Sequence, residues 1–158
     1  MDRVIYCFWT GDNPITERRQ QSVRDIAAIT GCRVEFIPPA TLSNWILPTA
    51  PLHPAYPYLS AVHRADYLRA YFMYHYGGGY SDIKSATGSW LPAFSHMDAN
   101  PDCWAIGYAE SAPGDVAYVA DPHLYQQLRA AYQRIIGNCS YVCRKGTPLT
   151  EAWLAEVH

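Results

Sequence analysis

The chain has 158 residues, a formal charge of −2 and 49% apolar side chains. That balance excludes a disordered chain, a collagen-like repeat and a polyanion-binding surface, nucleic acid included. No run of about 18 apolar residues is present to span a bilayer, and the opening "MDRVIYCFWTGDN" lacks the cationic start and apolar stretch of a leader, so a cytoplasmic protein without a membrane-spanning segment is expected.

In chain order, "RVIYCFW" is a short apolar run rich in β-formers and predicts a buried first strand, ending at Trp9 and the turn-forming "TGDNP". Asp12 or Asn13 with Pro14 opens a helix to about Ala28, closed by Gly31. "CRVEFIPP" places Val34 and Phe36 inward on a second strand that its prolines stop. Strand, helix, strand predicts a parallel α/β sheet. The proline-rich stretch from Pro38 to Tyr58 reads as irregular, with one helical turn near "TLSNW".

Ser60 starts a helix that carries Ala65, Leu68, Phe72 and Tyr76 on one stripe and ends at Gly77. "CWAIGY" and "VAYV" read as later strands. In "DPHLYQQLRAAYQRIIG", Asp121 caps a helix, Pro122 takes its first turn, Leu124, Leu128 and Ile135 face the core, and Gly137 stops it. Thr147 and Pro148 begin a last helix whose pattern is still running at His158. One domain over residues 1–158, incomplete at its C-terminal end, is therefore expected. The five cysteines, scattered without a C-x-x-C pair, read as buried thiols rather than a disulfide framework or zinc knuckle.

The segment "YGGGYSDIK" (76–84) concentrates the chemistry. Gly77 ends the helix, and Gly78 and Gly79 permit a tight turn or close approach to a ligand. On a strand after them, Tyr80, Asp82 and Lys84 share one face and Ser81, Ile83 and Ser85 the other. Asp66 and Arg69, three apart, are neighbours on the preceding helix. Together these groups line one cleft, or else form a surface ion pair beside a helix cap. A dinucleotide or P-loop motif runs from strand through glycines into helix. The order here is reversed.

"RADYLRAYFMYHYGGGYSDIK" resembles the central motif of D-x-D sugar transferases of the GT-A fold. The nearest are the capsular-polysaccharide-synthesis and glycosyltransferase sugar-binding families, related to the glucosylating clostridial toxins. Their pattern, S-D-x-x-R, an aromatic helix, then G-G-x-Y-x-D-x-D, is matched at Asp66, Arg69, Gly77, Gly78, Tyr80 and Asp82. "IYCFWTG" resembles their first strand. The resemblance implies a GT-A-like α/β fold: a Rossmann-type, mostly parallel sheet flanked by helices. It also implies transfer of a hexose from a nucleoside-diphosphate sugar, UDP-sugar favoured, to a glycan or other hydroxyl acceptor, with retention, as in capsular or surface polysaccharide synthesis.

The same resemblance implies donor binding by Trp9, Thr10, Asp66, Arg69, Gly78, Gly79 and Tyr80 and catalysis by Asp82, with Lys84, which stands where the family has its second aspartate, as the other catalytic candidate. Mn²⁺ or Mg²⁺, where bound, would sit on Asp82. The residue types suit these roles. An indole at a strand end can face a base, Asp66 accepts from hydroxyls, Arg69 donates a fork to oxygen anions, and Tyr80 can stack or hydrogen-bond at the ribose. A core position is the competing reading for Trp9.

Lys84 departs from the pattern, because a protonated lysine cannot ligate a metal. Three arrangements follow: a cation held by Asp82 and groups elsewhere, an ammonium that itself neutralises the diphosphate, or a non-catalytic carbohydrate or nucleotide-sugar binding module of the same fold. Glu110 and Asp115, on later loops, are either acid–base groups or solvated carboxylates.

Overall fold

The structure, a computed structural model, describes residues 1–158. Strand β1 (Val4–Phe8) is buried along its whole length. Val4, Tyr6 and Phe8 enter one core, while Ile5 and Cys7 enter a second on the opposite face, which is why the run is continuously apolar. Helix α1 (Glu17–Thr30) is capped by the Thr16 hydroxyl, which accepts the Arg19 N–H, and closes at Gly31 with φ 72°. It starts later than the Asp12–Pro14 expectation, because the Asn13 carbonyl accepts the Trp9 indole N–H and holds that stretch as a loop.

Strand β2 (Arg33–Ile37) pairs in parallel with β1. The expected helical turn is α2 (Pro39–Leu42), followed by a single 3₁₀ turn at Ser43–Trp45. Helix α3 (Ala61–His75) takes Ser60 as its cap, and Gly77 at φ 67° turns the chain into β3 (Gly78–Ser81). Then come α4 (Leu91–Ala99), β4 (Ala105–Ala109), α5 (Pro122–Ala130), β5 (Ile136–Cys143) and α6 (Pro148–Val157).

The sheet order is β2-β1-β3-β5-β4. Its β2-β1-β3 half is parallel, whereas β5 runs antiparallel to both β3 and β4, so the expected mostly parallel sheet is mixed. Helices α3 and α6 cover one face around Tyr71 and Phe72, and α1 and α4 cover the other around Ile26, Phe94 and Met97. No helix is long and apolar enough to cross a membrane.

Two expectations are corrected. The helix from Asp121 stops at Ala130, because Ile136 and Gly137 belong to β5; Leu124 is exposed and the helix buries no residue. Residues 116–119, expected as a strand, join no ladder, although Val116 is buried.

The glycine turn carries its own constraint. Gly78 has φ 95°, and a Cβ there would lie 3.0 Å from the Val4 carbonyl oxygen and 2.9 Å from Val4 Cγ1. Gly78→Ala is expected to destabilise the fold by about 1–3 kcal/mol, the usual cost of a strained backbone position. Urea unfolding measures it, and an unchanged midpoint would show that β3 can move away from β1.

Candidate functional site

From β1 the chain proceeds to β2 on one side, while β3 lies on the other. In an open parallel sheet such a reversal leaves a crevice outside the carboxyl ends of the two strands. A cleft of about 720 Å³ opens there, with Trp9, Arg19, Asp66, Arg69, Asp82 and Lys84 in its lining. Three of these side chains are cationic and two are acidic, which leaves one net positive charge in the lining.

Trp9 extends β1 by one bond, its backbone N–H reaching the Ile37 carbonyl at 3.1 Å. The indole N–H donates to the Asn13 carbonyl at 2.7 Å, which fixes the ring at the cleft edge. Thr10 donates its hydroxyl to the Ala61 carbonyl at 2.5 Å and so ties the loop after β1 to the start of α3.

Asp66 and Arg69 are in direct contact. They are not equivalent. The Asp66 side chain is 40% exposed and that of Arg69 only 13%. The Arg69 guanidinium also donates to the Asn138 carbonyl at 2.8 Å and lies over the Tyr80 ring, 5.0 Å from its centroid. It braces β5 against α3 as well as lining the cleft.

Tyr80 is buried, its ring stacked on Phe8 at 5.8 Å between centroids. Its hydroxyl donates to Asp82 Oδ1 at 2.6 Å. Burial, followed by this bond to a carboxylate, pushes the phenol's pKa far above its ordinary value. Tyr80 therefore acts on the cleft mainly by orienting Asp82. The Asp82 N–H still pairs with the Cys139 carbonyl at 2.8 Å, but regular strand ends at Ser81, and the Lys84 N–H turns back to the Asp82 carbonyl at 2.8 Å.

That turn, rather than strand periodicity, brings Lys84 Nζ to 3.5 Å from Asp82 Oδ2. The ammonium is held above its ordinary pKa, first by the neighbouring Cys139 side chain and, against the opposing effect of burial, by the Asp82 carboxylate. Lys84 is thus charged at neutral pH.

Gly78 and Gly79 do not reach the cleft. The space a Cβ would take is filled by Val4 at Gly78, and by Trp90 and Ile5 at Gly79, so both serve the packing of β3 rather than a ligand. Glu110 and Asp115 also lie outside its lining. Among the lining residues that escaped sequence reasoning are Arg19 of α1, whose guanidinium donates to the Ile83 carbonyl, and Asn138 of β5. Only tertiary folding brings either to the cleft, so no local spacing pointed to them.

A divalent cation of the Mg²⁺ type asks for about six oxygen ligands in near-octahedral order. The cleft offers two carboxylates, each already beside a cation, and no group of three or more His, Cys, Asp or Glu side chains converges in the structure. These residues do not fit a resident Mn²⁺ or Mg²⁺. Comparison with protein-family models, with curated proteins and with solved structures found no match.

The asymmetry of the Asp66–Arg69 pair is testable. Arg69→Met keeps the aliphatic stem but strands the Asn138 carbonyl, and is expected to lower stability by about 1.5–3 kcal/mol. Asp66→Asn breaks a half-exposed pair and should cost at most about 1 kcal/mol. Chemical unfolding of the two variants decides, and equal losses would remove the bracing role of Arg69.

Proposed function

We propose that the chain is a GT-A-type glycosyltransferase that moves a hexose from a nucleoside-diphosphate sugar, a UDP-sugar in the first instance, to a hydroxyl acceptor such as a surface glycan. The observation that carries this reading is the switch-point cleft, where an indole at a strand end, an acidic hydroxyl acceptor and three cationic side chains surround one space. That set matches the parts of the donor. Trp9 offers a face to the base, Asp66 accepts from ribose or hexose hydroxyls, and Arg19 and Lys84 face the diphosphate.

In the transfer, the bond between the anomeric carbon and the diphosphate oxygen breaks as a bond to the acceptor oxygen forms, and the acceptor's hydroxyl proton passes to the departing diphosphate. Negative charge then grows on the departing diphosphate. Fixed cations aimed at that charge lower the barrier, and a lysine replaces part of what a metal supplies in D-x-D enzymes. Asp82, oriented by Tyr80, keeps the ammonium beside the cleft through a weak contact that leaves it able to follow the diphosphate.

One observation favours a second reading. The motif presents a single aspartate, and that aspartate is already engaged by Tyr80 and Lys84. A non-catalytic nucleotide-sugar binding module needs no more than this.

Titration with UDP and a panel of UDP-hexoses, with and without a chelator, tests both readings. Binding is expected to persist in EDTA. Lys84→Ala is expected to weaken UDP about 10- to 150-fold, the loss of one charged hydrogen bond, and Trp9→Ala to remove the ligand-induced fluorescence change. UDP release in the presence of acceptors supports the enzyme, binding without release supports the module, and no UDP binding removes both.

A further inference from the structure

A second cavity of about 650 Å³ lies on the far side of the Asp66–Arg69 pair, between α3, β5 and α6. It shares Asp66, Arg69 and Asn138 with the first cleft, so these residues form a ridge between two adjoining spaces. Beyond the ridge its character changes. Ile136 and Leu149, 43% and 44% exposed, stand in its walls with Trp153, whose ring meets Tyr141 edge-on at 5.7 Å.

Two polar groups beside this space have no hydrogen-bond partner although they are buried: the Tyr141 hydroxyl and Arg69 Nε. Tyr141 is 5% exposed and lines the cavity. Buried polar groups are otherwise paired almost without exception, and an orphan asks for a partner that binds. A partly buried indole beside the more exposed Ile136 and Leu149 equally asks for a flat or apolar body.

We propose that this cavity is an acceptor subsite for an amphipathic glycoside, with the sugar at the ridge beside Asp66 and Tyr141 and the hydrophobic aglycone along Ile136, Leu149 and Trp153. The term acceptor rests on the donor reading of the first cleft; the binding chemistry does not. The polar end of the ligand points at the ridge because the charged and orphaned groups are there. The aglycone lies away from it because, Arg134 apart, the side chains beyond the ridge are apolar or aromatic. A free hexose would fill only the polar end and leave that wall in water.

The test uses 4-nitrophenyl glycosides of glucose, galactose and mannose against the free sugars, by ligand-observed NMR titration of the whole chain. The aryl glycosides are expected to bind at least about tenfold more tightly than the free sugars, the scale of discrimination that apolar contacts provide. Leu149→Glu, at an exposed position, should lower glycoside affinity by a similar factor. Tyr141→Phe should lower it several-fold while leaving the unfolding midpoint unchanged or raised, because it removes an unpartnered hydroxyl.

UDP titrations of the same variants should match the parent protein. Glycosides that bind no more tightly than free sugars, or whose affinity is unmoved in both variants, overturn the proposal. Glycoside binding that responds to the variants in a chain that ignores UDP upholds the subsite and overturns the donor reading instead.

Discussion

The reversal from helix to strand at Gly77 and Gly78 is the constraint on which the site depends. At ~1.5 Å per helical residue, Arg69 lies about 9 Å and Asp66 about 14 Å back from the end of α3, and at ~3.3 Å per extended residue Tyr80 and Asp82 lie about 7 Å and about 13 Å forward of Gly78. A turn this short makes the two pairs of distances comparable. It sets the guanidinium of Arg69 over the ring of Tyr80 and brings Asp66 and Arg69 of α3 to the same cleft as Asp82 and Lys84, just past the end of β3. A longer connection, or a side chain at Gly78 where Val4 already sits, would let the two elements slide apart and separate the cleft into unrelated charges.

Within that frame the interactions differ in strength, and the difference sorts the residues by role. The bond from Tyr80 to Asp82 is charge-assisted and part-buried, a type worth about 1.5–3 kcal/mol, whereas the half-exposed Lys84–Asp82 contact is of the kind worth ~0–1 kcal/mol. Asp82 is therefore fixed from below, and Lys84 is the member free to follow a ligand. Arg69, held by Asp66, the Asn138 carbonyl and Tyr80, belongs with the fixed set, and the more exposed Asp66 with the groups open to a ligand.

The first half of the molecule was readable because its signals are local. The apolar run of β1, the caps at Ser60 and Gly77 and the stripe of α3 each lie within a few residues of what they determine. Strand β5, "IGNCSYVC", was not: glycine, asparagine, cysteine and serine have weak strand preference, and its pairing with β3 and β4 decides its conformation. For the same reason the pattern of α5 overran its end, since Ile135 falls in helical phase with Leu128 yet leads into a strand. Helix α4 did carry a signal, Pro92 in its first turn with Phe94 and Met97 buried three apart. In the site, Asp66, Arg69, Asp82 and Lys84 were legible together, while the packing role of Gly78 and Gly79 depends on Val4 and Ile5, far away in sequence, and on a Trp90 brought back by the chain.

The strand order has a consequence for how the chain reaches this state. Strand β1 finds β2 soon after it is made, but its other edge waits for Gly79 and Tyr80, and β3 in turn has no second partner until Ser140–Cys143. A nascent chain therefore holds a fully apolar strand with one open edge until Gly79 and Tyr80 arrive, and the parallel half of the sheet is sealed only by the antiparallel β5 that follows much later in the chain. Pairings of such sequence separation form slowly, and an unsealed edge is where chains join one another. The yield of native protein should thus be set by how fast β5 arrives, so that slower growth temperature or a chaperone that shields β1 matters more than any improvement to the finished core.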